Sequence, residues 1–263
     1  MSGFCLVDLP NGWRVGRFAC LDCCRSVAHL VTTRKGLDVG LVATDRAAAA
    51  ARLAEAMGLK AVAFLDQVHG DRIIEVRAED LGGPGHTAAL RGAGGLAGMG
   101  DGLITDETGL GLMGVSADCP LILAADLDGA AVGVAHASWR GTVKKIALKL
   151  IRRMAERYGV DPSRLVACIG PSAGPERYEV GPDVLAAARE TLGPGAERFF
   201  PRRDGKMYFD LWQANRAQLV EAGLSEENIH VAGICTITRN DLFPSYRLEG
   251  ASAGRFLAVI SKT

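Results

Sequence analysis

The chain has 263 residues, 48% of them hydrophobic and 23% charged, enough to bury a sizeable core in one large domain or two small ones. Its 30 Lys+Arg balance 30 Asp+Glu, and this zero formal net charge argues against bulk electrostatic binding to nucleic acid or an anionic membrane. Gly or a charge interrupts every apolar run before the roughly 18 residues of a membrane span, and Met1–Arg14 lacks the basic-then-apolar order of a signal peptide; the expected setting is the cytoplasm.

In chain order, Val27–Thr33 has the length and composition of a strand, and Asp45–Met57 is an Ala-rich helix ended by Gly58. Ala61–Leu65 and Arg72–Val76 read as strands around Asp66-Gln67-Val68-His69-Gly70-Asp71. From Gly82 to Gly102 glycine is crowded and no periodic apolar face exists, which predicts a flexible surface loop in the position of a lid. Leu110–Val115, Leu121–Ala125 and Ala130–Ala135 are three strands in quick succession, with Asp128-Gly129 a two-residue hairpin signal between the last two. Thr142 to Tyr158 predicts one long amphipathic helix closed by Gly159, and Arg164–Ile169 another strand. Pro182–Leu192 is a helix with Pro in its first turn and Gly193 after its end. Asp210 with Gln213 forms a capping-box pattern opening a helix to Ala222, and strands at Ile229–Ala232 and Phe256–Ile260 finish the chain. There is no repeat of 20–50 residues and no linker, so residues 1–263 are expected to form a single domain. Antiparallel hairpins beside helices give an α+β, mixed α/β class rather than strict βαβ alternation.

The hairpin serves as a ruler. Centred between Asp128 and Gly129, it sets Cys119 across from Ser138, with His136 two residues away on the same face. Such diagonal neighbours lie about 7–8 Å apart, within reach of a shared ion, although Pro120 loosens the register. His69 adds a third donor. A His₂Cys set with one open position is the pattern of catalytic zinc; blue copper shares the equatorial set, but no Met is placed as its axial ligand, so copper is the less favoured ion. An ordinary buried Cys and a hydrogen-bonded His account for the same residues without a metal. After His136, Ala137-Ser138-Trp139-Arg140-Gly141-Thr142 leads into a helix, where free amides and the Arg140 fork suit phosphate or carboxylate; a solvated arginine at a helix start reads equally well.

Two motifs mislead. Gly109-Leu110-Gly111-Leu112-Met113-Gly114 matches GxGxxG but runs on into Val115-Ser116 rather than a helix, so it is not a dinucleotide loop. The seven cysteines, at positions 5, 20, 23, 24, 119, 168 and 235, are odd in number and spread through a large chain, which disfavours a disulfide framework. Cys20-Leu21-Asp22-Cys23-Cys24 holds a CxxC without a second pair at zinc-finger spacing, so ordinary thiols are expected there.

Asp66-Gln67-Val68-His69-Gly70, Ser116-Ala117-Asp118-Cys119-Pro120-Leu121 and His136-Ala137-Ser138-Trp139-Arg140-Gly141 together resemble the YfiH-like proteins, also called laccase-domain proteins, YfiH-type purine nucleoside phosphorylases or peptidoglycan editing factors. The resemblance extends through Asp101-Gly102-Leu103-Ile104-Thr105, Ile169-Gly170-Pro171, Tyr178-Glu179-Val180-Gly181, Cys235-Thr236, Ser245-Tyr246-Arg247 and Gly254-Arg255, nearly the whole chain from Thr33 onward. It implies a single-domain four-layer α/β/β/α sandwich. It implies zinc on His69, Cys119 and His136, which form the catalytic set, and substrate binding by Arg34 of a Thr-Arg motif, Arg140, Tyr178 and Arg247. The implied activity is phosphorolysis of adenosine, inosine, guanosine and methylthioadenosine, with adenosine deamination besides. The partners implied are then the purine nucleoside and phosphate, with no nucleic acid and no membrane, and a monomer is expected. The chain departs from the family pattern after the Thr-Arg motif, where Lys35-Gly36-Leu37-Asp38-Val39-Gly40 is a shortened stretch. It departs again at Ser138, where glycine is usual, and at the inserted proline of Phe243-Pro244-Ser245-Tyr246-Arg247.

Other readings stay open on sequence alone. The same metal would serve a peptidoglycan editing hydrolase that removes L-serine from UDP-N-acetylmuramoyl-serine. Cys119 with His136 as its base would make a metal-free hydrolase. A polyphenol oxidase would need copper and further His clusters. A structural zinc would need a fourth protein ligand, for which the Cys20–Cys24 cluster is the candidate. Asp118 neighbours a ligand, but an extended strand would point it to the opposite face.

Overall fold

The strands Leu110–Ser116, Leu121–Asp126 and Leu165–Ile169 are buried at every residue, so each must be covered on both faces. The computed structural model describes residues 3–81 and 94–263 and meets that demand with two stacked sheets between outer helices. The chain begins with β1 (Phe4–Asp8), β2 (Arg14–Phe18), α1 (Ala19–Asp22), β3 (Val27–Thr32), α2 (Val39–Thr44) and α3 (Arg46–Met57). It continues through β4 (Ala61–Asp66), β5 (Ile73–Glu75), β6 (Gly94–Met99), β7 (Gly102–Thr105), β8 (Leu110–Ser116), β9 (Leu121–Asp126) and β10 (Val132–His136). Next come α4 (Trp139–Val143), α5 (Ile146–Tyr158), β11 (Leu165–Ile169), α6 (Pro182–Leu192), β12 (Arg202–Arg203) and β13 (Lys206–Met207). The last elements are α7 (Leu211–Glu221), β14 (Ile229–Val231), α8 (Tyr246–Glu249) and β15 (Phe256–Lys262).

A seven-stranded sheet runs β1-β2-β3-β15-β8-β4-β6, and a six-stranded sheet runs β14-β11-β9-β10-β7-β5. Alternate residues of one strand serve different layers, as the two-residue period of a strand requires. Leu112, Leu123, Val134, Ala258 and Ile260 fill the space between the sheets with Phe18 and Phe256. Their sequence neighbours Met113, Val115, Leu257 and Val259 face outward onto Ala49, Ala50, Leu53 and Ala54 of α3. On the far side, Ile122, Ala124, Ala135 and Ala167 pack under Ile146, Leu150, Ile151 and Met154 of α5 and Leu219 of α7. The layers are therefore α/β/β/α, as the resemblance implied. Among the described residues no helix is long and apolar enough to cross a membrane.

Local signals explain the well-anticipated elements. The Asp45 carboxylate accepts from the Ala48 amide at 2.9 Å and Gly58 closes α3 in the left-handed conformation, φ 67°. Asp210 caps α7 by accepting from the Gln213 amide at 2.9 Å. The ruler also holds: β9 and β10 pair with Leu121 facing His136 and Ala125 facing Val132. The connection is four residues rather than two, because Asp126 and Ala131 still bond at 3.0 Å, but its centre is unchanged and so is the register.

Two expectations are corrected. The single helix from Thr142 to Tyr158 is two helices, broken at Lys145, whose φ is 62°. The two pieces bury different surfaces: Val143 of α4 joins Val184, Leu185 and Phe209, while α5 lies on the six-stranded sheet. One straight helix cannot do both. Within Gly82–Gly102, Gly94–Met99 is strand β6, parallel to β4, and Gly102 begins β7; ladder hydrogen bonds come from the backbone and need no apolar period. Residues 82–93, the rest of the expected lid, lie outside the described residues. Beyond what the pattern of the chain indicated, β1 and β2, which carry no strong apolar alternation, form a hairpin that extends the seven-stranded sheet.

Candidate active site

His136 ends β10 and continues the inner-face series of Val132 and Val134, so its ring enters the seam between the sheets. Cys119 lies in the connection by which the chain leaves β8 in one sheet for β9 in the other. The Ser116 hydroxyl closes that connection by donating to the Cys119 carbonyl at 2.7 Å. His69 follows β4 in a loop where its own φ is 59°, a conformation that non-glycine residues adopt at some cost. Three segments from two sheets thus bring one ligand atom each from His69, Cys119 and His136 within 4.8 Å of one another. The two imidazole rings lie 5.0 Å apart and almost perpendicular.

Asp101 anchors both histidines. Its buried carboxylate accepts from the His69 amide at 3.0 Å and the Gly70 amide at 2.7 Å, and it meets Nδ1 of His136 at 2.9 Å. Burial alone would raise the Asp101 pKa, but the hydrogen bonds from His136 and Gly70 hold it below the usual carboxylate range. Burial likewise opposes a charged His136, yet its contacts with Cys119 and Asp101 raise it to about 9. His69 is lowered by burial and by His136. Two imidazoles and a thiol that share one point, with one imidazole backed by a carboxylate, have the chemistry of a metal centre. Among the described residues this is the one group of three or more such side chains so placed.

The triad opens onto a cavity of about 460 Å³ lined by residues of both sheets and of α4 and α8. Arg140 lies there with its guanidinium 4.4 Å above the Trp139 ring, and Arg247 lies 4.8 Å above the Tyr178 ring while donating to the Glu179 carbonyl at 2.7 Å. Burial and the nearby Cys119 push the Tyr178 hydroxyl well up, so it stays protonated. The start of α4 offers less than expected, since the Ser138 hydroxyl already takes the Gly141 amide at 3.0 Å. Its contribution to the cavity is Ser138, Trp139 and Arg140.

Arg34 is elsewhere. It is absent from the cavity lining, donates to the Asn240 carbonyl at 2.7 Å and pairs with the Glu249 carboxylate. Glu249 also accepts from the Ser245 amide at 2.9 Å, so Arg34 braces the turn that presents Tyr246 and Arg247. Nor does the Cys20–Cys24 cluster supply a fourth ligand: the Cys20 thiol faces Cys168 at 3.4 Å.

The lining also includes Arg46, Gln67, Asp118, Tyr246 and Arg255, none of which spacing singled out as a site residue. Asp118 was expected on the opposite face of a strand, but a φ of 95° takes it out of the strand geometry. Its carboxylate accepts from the Thr236 hydroxyl and the Arg247 amide, both at 2.6 Å. Arg46, at the first position of α3, carries no local signal that separates it from a solvated helix residue. Asp101 was legible as part of a motif but not as a partner of histidines, because 35 residues separate it from His136.

A family model described as multi-copper polyphenol oxidoreductase laccase matches residues 30–263. The chain belongs to this family. Among curated relatives, a purine nucleoside phosphorylase of Deinococcus radiodurans is 36% identical over 249 residues, covering 89% of each chain. An adenosine deaminase, RL5, from an unknown prokaryotic organism is 33% identical over 72% of this chain and 70% of that protein. Among solved structures, YfiH of Bacillus licheniformis superposes with a TM-score of 0.83 at 25% identity, over the whole of both chains. YlmD of Geobacillus stearothermophilus gives 0.80 at 30% identity, covering 100% of this chain and 99% of that one. The YfiH-like resemblance and the mixed α/β class thus hold. The family description speaks of several coppers, whereas the described residues gather one three-ligand group.

Proposed function

We propose that this chain is a zinc-dependent purine nucleoside phosphorylase. In this reading it acts as a cytoplasmic monomer on adenosine, inosine, guanosine and methylthioadenosine, and it deaminates adenosine as well. The observation that carries the reading is the open His₂Cys triad facing a cavity lined by arginines and aromatic rings, in a chain 36% identical to a purine nucleoside phosphorylase. Three protein donors with a free side suit a catalytic zinc rather than a structural one, which would be four-coordinate. Bound there by His69, Cys119 and His136, zinc would supply Lewis acidity at the wall of the cavity.

The remaining chemistry belongs to the chain. Phosphorolysis needs phosphate held against the ribose carbon that bears the base, and Arg140, stacked on Trp139 and paired with no carboxylate among the described residues, offers it a cation, with Arg46, Arg247 and Arg255 in the same lining. Trp139, Tyr178 and Tyr246 provide flat faces for a purine. A Tyr178 hydroxyl that keeps its proton donates a hydrogen bond and cannot serve as a base. Asp118 is the lining's carboxylate, but Thr236 and Arg247 already occupy it, so its part is to hold α8 rather than to shuttle protons.

The test is a product assay by mass spectrometry with zinc quantified on the same sample. Native protein given adenosine and phosphate should yield adenine and inosine, while Cys119→Ala should lose both the zinc and the products. Free serine from UDP-N-acetylmuramoyl-serine, with no purine turnover, would replace this reading by cell-wall editing on the same centre. Turnover that survives without zinc would sink the metal assignment.

A further inference from the structure

The Asp101 side chain is fully buried and has no exposure to the cavity solvent, yet four N–H groups converge on its two oxygens. Oδ1 receives the His69 amide and Nδ1 of His136; Oδ2 receives the Gly70 amide at 2.7 Å and the Val68 amide at 3.3 Å. The Asp101 carbonyl also accepts from the His136 backbone amide at 2.7 Å. A carboxylate with two oxygens offers about four acceptor positions, so this one is saturated and acts as an acceptor throughout. In the neutral imidazole that a metal ligand must be, this fixes the proton of His136 on Nδ1 and leaves the Nε2 lone pair for the point shared with His69 and Cys119. The three successive amides form a concave anion-holding turn, and it is this turn that keeps His69 at its unfavourable φ of 59°.

We propose that Asp101 is the positioning residue of the metal centre, orienting both histidines at once and biasing the site toward a divalent ion. The inference rests on the triad as a metal site and not on the purine substrate. Its second half follows from charge. A thiolate and two neutral imidazoles carry one negative charge, and Asp101 brings a second one into the same buried region. A divalent cation neutralises the pair, whereas a monovalent ion such as Cu(I) leaves a buried negative charge uncompensated, which is costly away from water. The soft thiolate by itself would welcome either ion. Asp101 supplies the discrimination.

The experiment measures Zn(II) and Cu(I) affinities by competition with chromophoric chelators in the whole protein, for wild type, Asp101→Asn and Asp101→Glu. Asn keeps the shape but turns donors toward the loop amides and removes the charge. Zn(II) binding should weaken by about 10–100-fold, and Cu(I) binding by less, so that the Zn(II)-to-Cu(I) preference falls at least about tenfold. Asp101→Glu keeps the charge and should keep the preference, even where both affinities drop. Should Asp101→Asn fail to fold, the wild type decides: long-range ¹H–¹⁵N spectra of the zinc-loaded protein should show His136 protonated at Nδ1. Wild-type Zn(II) affinity in folded Asp101→Asn, an equal loss for both ions, or His136 protonated at Nε2 would each overturn the proposal.

Discussion

Among the described histidines, His29 shows how far burial can set a titration. Its side chain is fully buried beside β2, where Nε2 accepts the Phe18 amide at 2.8 Å. Burial, with Arg17 adding to it, lowers His29 to about 4 from an ordinary 6.5. The folded state therefore binds the proton less readily than the unfolded chain. Stability is complete above about pH 6.5 and is lost as the pH falls toward 4, by up to about 3 kcal/mol. Thermal midpoints recorded from pH 6.5 to 4.5 should fall more steeply for wild type than for His29→Gln, whose amide oxygen can still accept from Phe18. Parallel curves would contradict this. The same scale explains which site residues could be read in advance. His and Cys are scarce and chemically distinctive, so His69, Cys119 and His136 stood out. Arginines number among 30 basic residues: Arg140 stood out only through its place at a helix start after His136, and Arg34, which stands behind the cavity, only through the resemblance.

At the scale of elements, the decisive feature is the closeness of α4 to the His69 loop. A Cβ on Gly141 would sit 2.7 Å from the Gly70 carbonyl oxygen, a backbone atom that cannot swing aside. Gly141→Ala gains helix propensity of about 1 kcal/mol, but the overpacking costs roughly 1–3 kcal/mol, and it falls on the residue next to His69, a candidate ligand. The expected outcome is a near-normal thermal midpoint with zinc affinity weakened roughly 5–100-fold, measured by chelator competition. Unchanged affinity would show that the loop yields freely. The break at Lys145 belongs here too. The periodic pattern from Thr142 to Tyr158 is genuinely helical on both sides of it, and only the competing demands of two packing surfaces put a left-handed residue between them.

Across the whole molecule, the three candidate ligands report on how the sheets are joined. His69 follows a strand of the seven-stranded sheet, His136 ends a strand of the six-stranded one, and Cys119 lies on the crossing between them. An ion held by all three is a clamp across the sandwich and binds the folded state only. At a free zinc concentration of about 100 times Kd it adds about 2.7 kcal/mol, a rise of roughly 5–10 °C in Tm for a chain of this size. Chelation should remove that increment, zinc should restore it, and Cys119→Ala should show neither effect. A midpoint indifferent to zinc would mean that the triad does not bridge the sheets energetically.

The sequence by itself determined the strands with continuous apolar runs, the capped helices, the β9–β10 register and the three metal-ligand candidates, because each depends on nearby residues or on rare chemistry. It also carried the family, through motifs that persist from Thr33 to Arg255. Tertiary structure alone decided that β15, last in the chain, sits between β3 and β8, and that a glycine-rich stretch becomes a strand beside β4. It alone decided that Asp101 meets His136, that Asp118 turns into the cavity and that Arg34 stands behind it. Those outcomes rest on contacts between residues far apart in the chain, and the loop-closure and packing terms that choose among such contacts leave no periodic trace in the sequence.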